Sequence, residues 1–244
     1  MNDSVLLIDS GNTLLKYRFL NGEGKNLVEG FIPNQGIPDW ISLLQNQQPE
    51  VVFISKSGNL TFNPEVIWPN ARISFLKGES VRSISWAYPA VSQLGLDRIA
   101  ALSAAKWLFP NSDLLVADAG TCLTIDFLRA DGQHLGGFIS PGLQMRLSAM
   151  HQKTAALPEI SIEDSLHWGP GKTTKECMTA GSLSGIVAEL EYHFTSSVLP
   201  DSATKKMILT GGDAKHLAQH FKPPTFVVPD LVFQGMFAAC KGLI

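Results

Sequence analysis

The sequence predicts an α/β protein of two related halves, each a mixed sheet flanked by helices, and three observations lead there. First, an apolar run ending in an acidic glycine loop occurs twice: Val5–Ile8 before Asp9-Ser10-Gly11-Asn12-Thr13, and Leu114–Ala117 before Asp118-Ala119-Gly120-Thr121. Second, the sequels match. Each loop leads to another apolar stretch (Leu14 to Leu20; Cys122 to Leu128), a glycine turn (Asn21 to Lys25; Arg129 to Gln133) and a third stretch closing on Gly30-Phe31-Ile32-Pro33 or Gly137-Phe138-Ile139-Ser140-Pro141. Third, segments of helical spacing and single late strands follow the hairpins, which points to mixed sheets.

Along the chain, the first hairpin is followed by a predicted short helix, Ile37 to Gln48, with Trp40, Leu43 and Leu44 on one side. Val51 to Ser55 reads as a buried strand and Ile73 to Leu76 as another. Residues 77–95 are rich in glycine, proline and polar residues and read as a loop. Asp97 to Phe109 has helical spacing through Ile99, Leu102, Ala105 or Lys106, and Leu108, with Pro110 and Asn111 ending it. After the second hairpin, Ser140-Pro141-Gly142 leads into a helix at Leu143 to His151, and residues 152–171 are loop-like. Thr174 to His193 is helical, with Gly181 and Gly185 marking expected close helix contacts. Met207 to Leu209 is a late strand, Thr210-Gly211-Gly212-Asp213-Ala214 its exit into a short helix, and Leu231 to Cys240 a closing helix. The expected domains are 1–112 and 113–244.

At 244 residues, 45% hydrophobic and 17% charged, the chain has an ordinary globular balance, and its net charge of −3 gives no electrostatic reason for a nucleic-acid partner. No apolar run approaches the roughly 18 residues of a membrane span, and the polar, acidic start does not read as a signal peptide. A cytoplasmic protein with no membrane association is expected. The three cysteines, Cys122, Cys177 and Cys240, are widely spaced and lack a CxxC, so reduced thiols are expected. The histidines show no ligand spacing.

A phosphate cradle needs backbone N–H groups that approach oxygen closely, hydroxyls that donate, and carboxylates that hold Mg²⁺ directly or through water. Asp9, Gly11, Asn12 and Thr13 provide that set in five residues, and Asp118, Gly120 and Thr121 provide most of it again. One such loop is a turn at a strand end; two in matching hairpins are a clamp for a metal-bound polyphosphate. Lys16, on the following strand, is in reach of a phosphate. Paired Asp-Ser-Gly and Asp-Ala-Gly-Thr loops also suggest an aspartic protease, but the helical segments and Asn12 oppose that. Gly169-Pro170-Gly171-Lys172-Thr173 fails as a P-loop, because leucine occupies position 166 and no strand precedes it. Asp97 precedes a predicted helix, where a carboxylate caps free N–H groups; Arg98 beside it offers positive charge to an anionic substrate.

Taken together these residues resemble the type III pantothenate kinases, of the superfamily that includes acetate and sugar kinases, hsp70 and actin. Asp9-Ser10-Gly11-Asn12-Thr13 resembles the family's first phosphate motif and Asp118-Ala119-Gly120-Thr121 its second. Tyr88 with Gly95-Leu96-Asp97-Arg98 resembles its pantothenate motif. Gly136 to Gly142 is similar to a segment near the family's dimer interface. Gly171-Lys172-Thr173-Thr174 is similar to its Gly-Lys-x-Thr, and Thr210 to Ala214 to the superfamily's adenosine motif. Ser10 stands where valine is usual, and Cys122 where alanine or serine is; Cys122 adds an oxidation site beside the phosphate loop.

The resemblance implies two ribonuclease H-like, actin-like ATPase domains and ATP-dependent phosphorylation of pantothenate, the first step of coenzyme A biosynthesis. It implies Asp97 as catalytic base, with Tyr88, Gly95, Leu96, Arg98 and Thr174 on pantothenate. Asp9, Ser10, Gly11, Asn12, Thr13, Lys16, Gly120, Thr121, Gly211 and Gly212 would bind ATP. Asp9 would hold Mg²⁺, through water, and Asp118 a monovalent cation, K⁺ or NH₄⁺. A homodimer is implied, with the active site near the subunit interface. The rival expectations are a regulatory protein on the same fold and a kinase of another small hydroxy acid.

Overall fold

The computed structural model describes residues 3–11, 14–33, 47–56, 60, 62–163, 166–199, 204–222 and 224–243. Asn12, Thr13 and nearly all of the helix expected at Ile37 to Gln48 lie outside the described residues.

Two five-stranded sheets form, one in each of two compact units. The first contains β1 (Val5–Ser10), β2 (Leu14–Leu20), β3 (Asn26–Pro33), β4 (Val51–Lys56) and β5 (Arg72–Phe75), in the order β3-β2-β1-β4-β5. The second contains β6 (Leu114–Ala119), β7 (Cys122–Leu128), β8 (His134–Pro141), β9 (Lys206–Thr210) and β10 (Thr225–Val227), in the order β8-β7-β6-β9-β10. The topologies are identical: each central strand pairs antiparallel with the next hairpin strand and parallel with the later single strand.

The repeat extends to details. Both hairpins carry a register shift one residue before the turn, at Phe19/Leu20 and Phe127/Leu128. Both turns close through glycine in the left-handed region, Gly24 at φ 82° and Gly132 at φ 91°, donating to Asn21 O and Arg129 O respectively. The loops differ by one residue. Gly11 N donates to Leu14 O in the first, and Gly120 N to Cys122 O in the second. Asp9 accordingly lies opposite Lys16, seven positions on, while Asp118 lies opposite Thr124, six positions on.

β1 is buried along its whole length because both faces are covered. Leu6 and Ile8 join Leu15, Tyr17, Phe19, Val52, Ile54 and Trp68 on one face. Val5 and Leu7 join Phe53, Leu76, Ala100 and Met236 on the other. The period of two places Asp9 on this second face and Ser10 on the first.

The helices are α1 (Pro64–Ile67), α2 (Leu96–Leu108), α3 (Leu143–Lys153), α4 (Thr174–Thr195), α5 (Ala214–Ala218) and α6 (Leu231–Cys240). α1 and β10 were not read from the sequence: each is shorter than the window that periodicity requires. α4 and α5 cover one face of the second sheet through Leu183, Ile186, Val187, Leu190 and Leu217, with Leu143 of α3. Gly185 packs against Arg146 of α3 as expected, but Gly181 does not mark a close contact: no atom lies within 4 Å of where its Cβ would be. The first unit comprises residues 1–83, 88–104 and 232–244, and the second 84–87 and 105–231. In the first unit α6 crosses α2 closely; a Cβ on Gly235 would stand 2.0 Å from Ala100 O. No described helix is long and apolar enough to cross a membrane.

Candidate active site

In the first unit, Asp9 is the penultimate residue of the central strand, buried, with Ser55 of β4 beside it and Lys16 of β2 opposite. All three lie on one face of the sheet. Lys16 is exposed there. Ser55 was missed in the sequence reading; its Oγ is fully buried and has no hydrogen-bond partner among the described residues. The Ser10 hydroxyl is on the opposite face, also buried and without a partner among the described residues, so only the Ser10 backbone faces the loop.

The face that carries Asp9 is the face covered by α2. Gly78, just past the end of β5, has no room for a side chain: Ile99 Cδ1 and Val91 Cγ2 would each be 2.8 Å from its Cβ. That contact packs the first turn of α2 against the segment just past β5. The helix begins at Leu96, one residue before the sequence reading, and Asp97 lies within its first turn rather than ahead of it. Asp97 Oδ1 accepts from Arg98 N at 2.9 Å, so the carboxylate does satisfy a free N–H of that turn. Gly95 makes this possible; a Cβ there would stand 2.5 Å from Asp97 Oδ1. Arg98 is buried, and its Nη1 donates to the Tyr88 hydroxyl at 3.2 Å, fixing both side chains.

In the second unit, three motifs far apart in sequence meet. Asp118 is the penultimate residue of β6, half-buried, and Thr121 is exposed at the loop tip. Gly142, at the start of α3, lies against this loop so closely that a Cβ would stand 2.1 Å from Gly120 O. From the other side comes Gly211, with φ 90°; its Cβ would stand 2.4 Å from both Asp118 Oδ1 and Ala119 O. Asp213 N donates to Ala119 O at 3.0 Å, which ties the Gly211-Gly212 turn to the loop. Burial pushes the Asp213 carboxyl upward in pKa, with His216 opposing. Thr210, opposite Asp118 and fully buried, donates to Pro229 O at 3.3 Å. The signal for Ser55 and Thr210 was present: a hydroxyl residue closes the apolar runs Val51 to Ile54 and Met207 to Leu209 alike.

The segment Gly171-Lys172-Thr173-Thr174 forms the amino-terminal cap of α4. Thr173 Oγ1 accepts from Glu176 N at 3.2 Å, and Glu176 Oε2 accepts from Thr173 N at 3.2 Å, a capping box. A Cβ on Gly171 would stand 2.4 Å from Cys177 N, so this glycine is needed for the helix start. Thr174 is the exposed first residue of the helix.

Among the described residues no three His, Cys, Asp or Glu side chains cluster around a common metal position. Single carboxylates at Asp9 and Asp118 fit another mode, in which a hard cation takes one carboxylate, water and substrate phosphate oxygens.

Two sheets of one topology, each with an acidic glycine loop near the end of its central strand, define the actin-like fold class. An archaeal actin homologue, Ta0583, has this fold, with a TM-score of 0.53 at 10% identity over 98% of this chain and 99% of its own. A Campylobacter jejuni protein described as a candidate transcriptional activator of the Baf family shares it at a TM-score of 0.63 and 24% identity over 97% of each chain. Within that class this chain belongs to the type III pantothenate kinase family, whose model matches residues 5–196. A type III pantothenate kinase of Phocaeicola vulgatus is 34% identical to it over 243 residues, which is 98% of this chain and 95% of the relative.

Proposed function

We propose that the protein phosphorylates pantothenate on its primary hydroxyl with Mg·ATP, in the cytoplasm, as the opening step of coenzyme A synthesis. The observation that carries this reading is the clasp of Gly142 and Gly211 on the Asp118 to Thr121 loop, which holds an exposed hydroxyl, Thr121, in the same short loop as the half-buried Asp118 carboxylate. Asn12, Thr13 and Thr121, with Ser10 and the close backbone approach allowed by Gly11, Gly120, Gly211 and Gly212, orient the phosphates; Lys16 faces the same side as Asp9 and meets them. Asp9 holds Mg²⁺ through water, and Asp118 holds K⁺ or NH₄⁺. Bound with ATP, these cations supply neutralisation of the phosphate charge.

Tyr88, Gly95, Leu96, Arg98 and Thr174 bind pantothenate, and Arg98, already oriented by the Tyr88 hydroxyl, supplies a fixed positive charge for its carboxylate. Asp97 accepts the proton of the attacking hydroxyl. In a loose transition state that proton leaves late, so alignment and charge neutralisation supply most of the acceleration.

The active form is a homodimer. An exposed apolar strip supports this: Phe138 stacks on His193 at 4.1 Å, and Ile139 and Tyr192 nearby are 63% and 69% exposed.

Coupled ADP release with pantothenate present or omitted, and with potassium replaced by sodium, tests the reading. Release that requires both pantothenate and potassium is expected. Pantothenate binding without release would favour a regulatory protein instead, and release only with a different hydroxy acid would reassign the substrate.

A further inference from the structure

We propose that residues 84–87 form a strap that positions the acceptor substrate, with Trp86 as its anchor; this rests on the assignment of Tyr88 and Arg98 to acceptor binding. Between Val81 and Leu94 the chain has no strand or α-helix, only a short 3₁₀ turn at Val91–Gln93. Within this irregular stretch, residues 84–87 are built into the second unit, while Tyr88 onward belongs to the first.

The strap is held at three points. Ser85 N donates to Gly132 O, and His134 N donates to Ser85 O, both at 2.9 Å, so Ser85 forms an isolated bridge with the β7–β8 turn at Gln133. The Trp86 ring stands edge-on to His134 with centroids 5.6 Å apart. Ile84 is buried. The surface they grip is rigid: His134 Nε2 and Asp126 Oδ1 are 2.9 Å apart and both side chains are buried.

Two features mark this as more than loop packing. The matching turn of the first hairpin, Asn21 to Lys25, carries no such bridge among the described residues, so the strap is not a by-product of the repeat. The Trp86 Nε1–H is buried with no hydrogen-bond partner among the described residues. A donor is left unsatisfied to hold the ring here, and such a cost persists where position matters. Tyr88 follows two residues later, within about 7 Å of chain. Its hydroxyl meets the Arg98 guanidinium, so displacement of the strap is passed to the pair that would grip the acceptor. Trp86 is thus a positioning residue for the acceptor and leaves the nucleotide untouched.

Steady-state kinetics of Trp86→Leu and Trp86→Phe test this. Trp86→Leu should raise KM for pantothenate about tenfold while kcat and KM for ATP stay within about twofold, and Trp86→Phe, which keeps an edge-on ring, should recover most of the loss. A folded Trp86→Leu with unchanged pantothenate KM, or with both KM values raised alike, overturns the strap. Should Trp86→Leu not fold, hydrogen exchange on the wild-type protein decides. Saturating pantothenate should slow exchange of the Ser85 and His134 amides at least about threefold, and unchanged exchange there refutes the proposal. Wild-type turnover separates the two levels. An active wild type beside an unaffected Trp86→Leu sinks the strap alone; a wild type inert toward pantothenate sinks the acceptor assignment and the strap with it.

Discussion

Asp97 and Asp213 are both acids at helix starts, yet their surroundings give them different work. Asp97 sits in the first turn of α2 with Oδ1 on the Arg98 amide, and Gly95 keeps the space above that oxygen clear. Asp97→Asn preserves shape and the accepting oxygen but cannot take a proton. Its kcat should fall roughly 10²–10⁴-fold with ATP affinity retained in equilibrium binding. Turnover at the wild-type rate would leave Asp97 as a capping residue alone. Asp213 is held in an environment that disfavours its charge, because burial raises its pKa. The folded protein therefore keeps this proton to higher pH than the unfolded chain does, and stability falls as pH rises from the ordinary carboxylate range near 3.9. Asp213→Asn should raise Tm at pH 7, and the gain should shrink toward zero as the pH is lowered to about 4. A gain independent of pH would assign the effect to something other than the charge.

The hairpins show what repetition in sequence can reveal. The repeated hairpin and its two glycine turns were foreshadowed by matching strings of residues, whereas the paired bulges needed the register. The one-residue difference between the loops was visible as the extra Asn12, but its effect, a shift in which residue faces the acid, needed the register. The clasp on the second loop was only half legible. Gly211 belonged to a recognisable glycine pair, whereas Gly142 read as the lead into a helix and as part of a segment like one near the family's dimer interface, with nothing to tie it to the second loop. Close approach of two backbones leaves no periodic trace, because it depends on where distant segments meet. Gly142→Ala would place a methyl group 2.1 Å from Gly120 O, a backbone atom that no rotamer change can move. The variant should lose about 1–3 kcal/mol in denaturant unfolding. It should also bind ATP more weakly, since the loop itself must shift. Unaltered stability and nucleotide binding would show that the clasp is slack.

The α/β class, both central strands and α2, α4 and α6 followed from periodicity and from turn residues, because these segments are long enough to carry a period. What did not follow is the path of the chain between units. Residues 84–87 are too few and too irregular for any pattern. α6 was correctly read as a helix, but nothing in Leu231 to Cys240 announces which core it completes. Its Met236 packs among Val5, Leu7, Leu20 and Phe53, residues from the opposite end of the sequence, and hydrophobicity alone does not name a partner.

That late helix has a consequence for biogenesis. A ribosome adding roughly 5–20 residues per second releases the β1–β5 segments long before α6 exists. The second unit, complete once residue 231 has been made, can mature first, while the earlier-made sheet waits with one apolar face covered by α2 alone. Translation order and maturation order are thereby reversed, and the nascent first sheet is the stage at which a chaperone has most to protect.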